Sequence, residues 1–466
     1  MSHRSIFDTC ALASCGALIA ALFACSSDDS QALPLIVRPG NGGAAGMPTG
    51  SAGAPASAGS GGAASGGAPS AGGAQNAGEE NPDPIGGISG GAGTNGGNSG
   101  GAGGAAPSAG AGGMATGGTG NIPDNCDLTA IPERSPLVGW ASVAGGGVPT
   151  TTGGGDAEPV VVTDNEQLQI ALLGDEPRVI RVQGVLPPAD IAVGGSNKTI
   201  VGTCGAEIHG HVEVREVSNV IFHNITIVGY SPGDCALDPG FDPAEGCSSG
   251  DDAITVQRNA HHVWFDHVAV RDGSDGNLDV TNGANFVTIS WTKFSYTPRT
   301  DDVGSDSTGA AGHRYSNLVG GTDSPSDFDD ANSLNVTWHH NWWADNVVER
   351  QPRIRFGQNH LFNNYWSSDV ANYCVRAGIQ AKILLEGNFF DGVDDPHEFN
   401  NEADQLTANI TADESNIYQM TTSDMAVGGG GTAFTDPPYE YTLDAAAGVP
   451  AAVEAGAGPQ VILLTE

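Results

Sequence analysis

His262-Val-Trp-Phe-Asp-His-Val-Ala-Val270 and Phe286-Val-Thr-Ile-Ser-Trp-Thr-Lys-Phe294 are the two stretches that decide the architecture of this chain. Each is a short run of β-branched and aromatic residues, the composition of a strand with a buried face. Val263 and Val287 stand 24 residues apart, too far for a hairpin and close to the period of a repeated coil. The pattern extends to both sides, in Asn219-Val-Ile-Phe-His-Asn-Ile-Thr-Ile227, Leu334-Asn-Val-Thr-Trp-His-His-Asn-Trp-Trp343, His360-Leu-Phe-Asn-Asn-Tyr-Trp366 and Lys382-Ile-Leu-Leu-Glu-Gly-Asn-Phe-Phe390. Val336 to His360 is again 24 residues and Leu361 to Ile383 is 22, while longer gaps hold Gly- and Asp-rich insertions. A single coil cannot bury its inward Val, Ile and Phe, so coils must stack into one core. The expected fold is all-β, a right-handed parallel β-helix. A β-sandwich would instead show closer strand spacing and hairpin turns such as Asn-Gly. Asn341, Asn364 and Asn388 recur at steps of 23 and 24, which predicts a ladder of side-chain amides along the solenoid.

Outside the repeats the composition changes. The 466-residue chain carries 17 Lys plus Arg against 54 Asp plus Glu, a formal charge of −37, which argues against a nucleic-acid partner. Residues 41–120 are rich in Gly, Ala and Ser and contain no Phe, Trp or Tyr, so they cannot build a core. Residues 121–466 hold nearly all the aromatics and read as the globular domain, expected to be monomeric. The cations are 14 Arg and 3 Lys, and guanidinium groups suit bidentate carboxylate recognition.

Residues 1–25 have Arg4, an apolar run from Cys10 to Ala24, and then Leu22-Phe23-Ala24-Cys25, the pattern of a bacterial lipoprotein signal with Cys25 as the lipidated residue. Leu12-Ala13-Ser14-Cys15 leaves too short an apolar segment ahead of it. The other reading is an ordinary cleaved signal peptide with an incidental cysteine. With Cys25 acylated, residues 26–120 are a tether, and the only membrane contact is the lipid anchor of an exported outer-membrane or cell-surface protein. In an oxidising compartment the odd set Cys126, Cys204, Cys235, Cys247 and Cys374 leaves at least one free thiol. Cys235 and Cys247 bracket an acidic loop and are the first expected pair, Cys126 and Cys204 the second, and Cys374 a buried thiol.

Two constellations carry chemistry. Asp251-Asp252-Ala-Ile-Thr-Val256 and Asp275-Gly-Asn-Leu-Asp279-Val lie on successive coils, so stacking can bring Asp252, Asp275 and Asp279 together. Converging carboxylates suit calcium, although acidic loops are commonly just solvated. Arg350-Gln-Pro-Arg353-Ile-Arg355 packs three arginines into six residues, with alternation pointing Arg353 and Arg355 the same way. Taken alone that triplet also reads as a solvated face or a structural clamp. His267, His339 and His340 read as packing or hydrogen-bonding groups at coil turns, and Trp338, Trp342, Trp343 and Trp366 as stacked core and turn residues.

Val263-Trp-Phe-Asp-His267, Asp275-Gly-Asn-Leu-Asp279, Val287-Thr-Ile-Ser290 and Arg350-Gln-Pro-Arg-Ile-Arg355-Phe-Gly-Gln-Asn-His-Leu-Phe-Asn-Asn364 together resemble polysaccharide lyase family 1, the pectate lyases. The likeness extends upstream to Gly139-Trp-Ala-Ser-Val-Ala-Gly-Gly-Gly147 and downstream to Pro437-Pro-Tyr-Glu-Tyr-Thr-Leu443, about residues 121 to 460. It implies calcium-assisted β-elimination of polygalacturonate, with Ca2+ held by Asp252, Asp275 and Asp279. It implies Arg350 as the group that removes the C5 proton, and Arg355 as a binder of a substrate carboxylate. Arg299 stands where the family usually has a substrate-binding lysine, and Gly250 where some relatives have a further acid that Asp251 would replace. A pectin lyase acting on methyl-esterified polymer would lack the acid cluster. A hydrolase would need a carboxylate pair placed as acid and base. A non-catalytic binding solenoid would leave polymer length unchanged.

Overall fold

The computed structural model describes residues 125–230, 252–297, 314–326, 328–423 and 425–464. All fall in the unit Asn81–Glu466. Cys25, the tether, Cys235, Cys247, Gly250, Asp251 and Arg299 lie outside the described residues.

The β-type runs pair in parallel with the run one coil on, and the result is a parallel β-solenoid of about nine turns. On its first sheet Val220, Val263, Val287 and Val336 lie in one register, continued by Asn359, Ile383 and Ile410. These inward side chains are essentially unexposed and belong to one continuous core. The sequence pairing of Val336 with His360 and of Leu361 with Ile383 is corrected here: Val336 meets Asn359 and Leu361 meets Leu385. A one-residue slip would turn the inward set outward, so the core fixes the register.

The amide ladder carries the same register. Asn341 N donates to Asn364 Oδ1 across a 23-residue step, and Asn364 N to Asn388 Oδ1 across a 24-residue step, both at 2.9 Å. The ladder runs one rung further than the sequence suggested, to Asn416, whose 28-residue step broke the visible period. Each Nδ2 also donates to a carbonyl of the neighbouring turn, such as Trp338 O from Asn364 at 2.9 Å, so the buried amides are satisfied.

On the second sheet Phe294, Trp343, Trp366, Phe390 and Tyr418 stack inside the coil, with the Trp343 and Trp366 rings 4.6 Å apart and within 4° of parallel. Trp338 is also core. Trp342 lies outside, stacked on Tyr365 with the Lys293 ammonium 4.2 Å from its ring. The expected tryptophan roles therefore hold. Helix Asn165–Ala171, capped by Asp164 Oδ1 accepting from Gln167 N at 2.8 Å, buries Leu168 against the core. Helix Val449–Gly456 buries Val449 and Val453 against Tyr365 and Phe389. Cys126 and Cys204 form a disulfide and Cys374 is a buried thiol, as expected of both.

The segment around Ser135 is pinned to the first sheet by Asp266. This unexposed carboxylate accepts from Ser135 N at 3.0 Å and Ser290 Oγ at 2.9 Å, with His223 Nδ1 and His267 Nδ1 at 3.2 and 3.1 Å. The ligating atoms of this trio approach one another closely enough for a metal. Both ring nitrogens of His223, however, face carbonyl oxygens, Pro132 O at 2.9 Å and Asp266 O at 3.2 Å, positions that want N–H donors rather than lone pairs. His267 thus takes the structural role expected of it, and so do His339 and His340, whose Nδ1 atoms meet at 3.0 Å.

Candidate active site

The third sheet is where chemistry collects. Its strands Ile254–Gln257, Leu278–Val280, Leu318–Val319, Arg353–Ile354, Val375–Ala377 and His397–Phe399 are short, and long insertions join several of them to the preceding sheet. Inward positions are apolar: Ile254, Leu278, Val280, Val319, Ile354, Val375 and Ala377 are unexposed. Period-2 alternation therefore sends the intervening side chains outward. Thr255 pairs with Asp279, Leu318 with Arg353, Arg353 with Arg376 and Arg376 with Glu398, so acids lead to arginines along the sheet.

Asp252 and Asp279 meet over Gly276. Ala253 N donates to Gly276 O at 3.0 Å, which lays residue 252 against the next turn. A Cβ on Gly276 would lie 2.5 Å from Asp252 Oδ1 and 3.4 Å from Asp279 Oδ1, so glycine leaves room for both carboxylates. Asp279 Oδ1 accepts from Leu318 N at 2.9 Å and Asp252 Oδ2 from Thr255 Oγ1 at 3.3 Å. Asp252 Oδ1 is shielded from water and has no donor among the described residues. Burial, then the charges of Asp279 and Asp275, push the Asp252 carboxyl well above the usual range. Burial pushes Asp279 up to about 7 despite the opposing Arg350 charge, and Asp275 adds to the rise. Three carboxylates, one with a bare buried oxygen, around a gap that a methyl would fill form an all-oxygen donor set that fits calcium.

Arg350 lies on a nearby turn, 5% exposed, with its guanidinium 4.4 Å from the Tyr315 ring. Its backbone is left-handed, φ 57°, an uncommon conformation for arginine that the surrounding turn imposes. Arg353 and Arg355 flank the inward Ile354, as alternation predicted. Arg355 is buried and already engaged, its Nε donating to Asp323 Oδ1 and its Nη1 to Gly320 O, both at 2.8 Å. Burial, then the Arg353 charge, lowers the Arg355 pKa, and Asp323 opposes the shift. Arg376 pairs with Glu398 at 2.6 Å and lies over the Tyr373 ring at 3.4 Å.

The structure thus brings Asp252, Asp275, Asp279, Arg350 and Arg355 into one surface. Sequence reasoning missed Arg376, which follows Arg353 by 23 residues, the same step as Asn341 to Asn364 and a signal that could have found it. It also missed Tyr315 and Asp323, which sit in irregular segments with no periodic signal.

A family model described as pectate lyase matches residues 128–460. A pectate trisaccharide-lyase of Thermotoga maritima is 33% identical over 252 residues, covering 53% of this chain and 60% of that protein's length. Pectate lyase E of Dickeya chrysanthemi is 29% identical over 365 residues, 67% of this chain and 87% of that one. Among solved structures, a Bacillus pectate lyase in complex with trigalacturonate superposes with a TM-score of 0.54 at 25% identity, covering 70% of this chain and 99% of that one.

Proposed function

The chain belongs to the pectate lyase family, and from that premise we propose that it cleaves α-1,4-linked polygalacturonate by β-elimination, giving 4,5-unsaturated oligogalacturonides. The observation that carries the reading is the Asp252–Asp279 cradle with Arg350 close enough for its charge to act on both carboxylates. Asp252, Asp275 and Asp279 would hold Ca2+, which when bound neutralises the uronate carboxylate and makes the adjacent C5–H more acidic.

Arg350 takes the C5 proton. The electron pair left at C5 forms the C4–C5 double bond, the C4–O bond breaks, and the departing oxygen takes a proton from solvent. Arginine's ordinary pKa above about 12 leaves little neutral base at neutral pH, so the rate rises toward alkaline pH. Arg355 holds negative charge on the substrate through the donor capacity left beyond Asp323 and Gly320, and Arg299 is its proposed companion. The protein acts as an exported monomer attached to a membrane surface through acylated Cys25.

The test is ultraviolet detection of unsaturated uronide from polygalacturonate, with calcium and with chelator, for wild type and Arg350→Ala. Calcium-dependent product that disappears in the variant supports the reading. Wild-type silence on both polygalacturonate and methylated pectin ends it and favours a binding solenoid.

A further inference from the structure

Among the three clustered arginines, Arg353 is the one whose charge the fold leaves unmatched. Arg355 is tied to the carboxylate of Asp323, and Arg376, its register partner one turn on, is paired with Glu398. Arg353 has no carboxylate partner among the described residues. Its printed contact is a long hydrogen bond from Nη2 to Asn400 Oδ1, 3.3 Å, and its Nε is sealed from water without an acceptor. Asp404 is reached only through Asn400, whose Nδ2 donates to Asp404 Oδ2 at 2.8 Å. Asn400 thus orients the guanidinium without neutralising it.

That is a conspicuous arrangement in a chain with a net charge of −37, where acids are plentiful enough to pair every cation. Arg353 is part-exposed on the outer face of the third sheet. It follows Leu318 and precedes Arg376 in register, with rungs about 4.8 Å apart, on the same file of outward positions that begins at Thr255 and Asp279. A guanidinium held by an amide, short of an acceptor and aligned with the acid cradle is built to receive an external planar anion.

Resting on the lyase reading above, we propose that Arg353 binds the carboxylate of a galacturonate unit neighbouring the reacting one and thereby sets the preference for unesterified polymer. Methyl esterification removes the charge Arg353 recognises. The residue acts in ground-state and transition-state binding alike, so it governs KM rather than kcat.

The experiment compares Arg353→Gln and Arg353→Lys with wild type on polygalacturonate and on highly methyl-esterified pectin, with thermal melting to confirm that the variants fold. Arg353→Gln is expected to raise KM on polygalacturonate about tenfold with kcat within about twofold, while KM on esterified pectin moves less than about twofold. Arg353→Lys restores part of the loss. Equal KM changes on both polymers, or none, overturn the proposal. A second arm measures calorimetric binding of trigalacturonate in the inactive Arg350→Ala background with and without Arg353→Gln. A fall in affinity of about tenfold supports the assignment and an unchanged affinity overturns it. If wild type makes no unsaturated product from either polymer, the lyase reading fails, and the binding arm alone decides the role of Arg353.

Discussion

Asp266 and Asp279 are both buried aspartates at the end or middle of short parallel strands, yet their surroundings treat them in opposite ways. Burial alone would raise both. At Asp266, hydrogen bonds from His223 and His267, together with their charges, overcome burial and hold the carboxyl well below its usual range. At Asp279 the charge of Arg350 and the Leu318 amide fall short of offsetting burial and Asp275, and the carboxyl rises to about 7. Asp252 beside it is raised as well and keeps a bare oxygen. The first environment is complete as a structural clamp, whereas the second lacks positive charge, which a divalent cation supplies.

The largest effect that sharpens this contrast concerns the cation already present there. Arg350→Ala should lower kcat about 10⁴-fold, the upper range for loss of a general base, while leaving the melting temperature near that of wild type. A melting shift comparable to that of a core mutant would mean that Arg350 chiefly balances the acids.

Asp266→Ala should destabilise the fold by about 4 kcal/mol in urea unfolding, because it strands the buried imidazoles and the Ser135 amide. Asp279→Asn, measured in chelator at pH 8, should instead stabilise by roughly 1–2 kcal/mol, because it removes a buried charge and keeps an acceptor for Leu318 N. Destabilisation by both would erase the distinction between clamp and cation site.

The pH dependence should divide the two in the same way. The unfolded chain ionises Asp279 near pH 4, but the folded protein holds that proton to about 7, so with chelator present stability falls as pH rises from about 4 to 7. Asp266 has the reverse sign: its contribution is present above about pH 4 and is lost as pH drops below that value. Melting curves across pH should show calcium abolishing the first slope and leaving the second. Persistence of the first slope at saturating calcium would exclude Asp279 as a ligand.

The smallest expected effect is that of Gly276→Ala, which fills the cradle without touching the clamp. Calcium affinity should weaken about tenfold in calorimetry, with little change in the stability of the calcium-free protein, because the added methyl presses on Asp252 Oδ1. Unaltered affinity would move the cation away from Gly276.

The solenoid was legible because stacking imposes one period on chemically distinct signals. Val263 and Val287, the Asn341 ladder and the Trp343–Trp366 stack all repeat with the turn. The amides were a better ruler than the hydrophobics: the Val336–His360 spacing misses the register by one residue, whereas the Asn341–Asn364 step agrees with Val336–Asn359. An amide must sit at one point of a turn to reach the next amide, while apolar residues occupy several adjacent positions and blur the count. The candidate acids and arginines were visible for a different reason, as charged types concentrated on neighbouring coils.

By itself the sequence determined a stack of parallel coils, the coil positions of Asp252, Asp275, Asp279, Arg350 and Arg355, and the separation of a core-forming body from a Gly-rich segment that cannot form one. The tertiary structure decided which charges remain unmatched. Asp323 lies 32 residues before Arg355 and engages it, Asn400 lies 47 residues after Arg353 and orients it without neutralising it, and Asp266 is completed by groups up to 131 residues away. Charge compensation depends on distances of a few ångströms between segments brought together only when the coils close, so residue type and spacing identify the charged groups and three-dimensional packing assigns their partners.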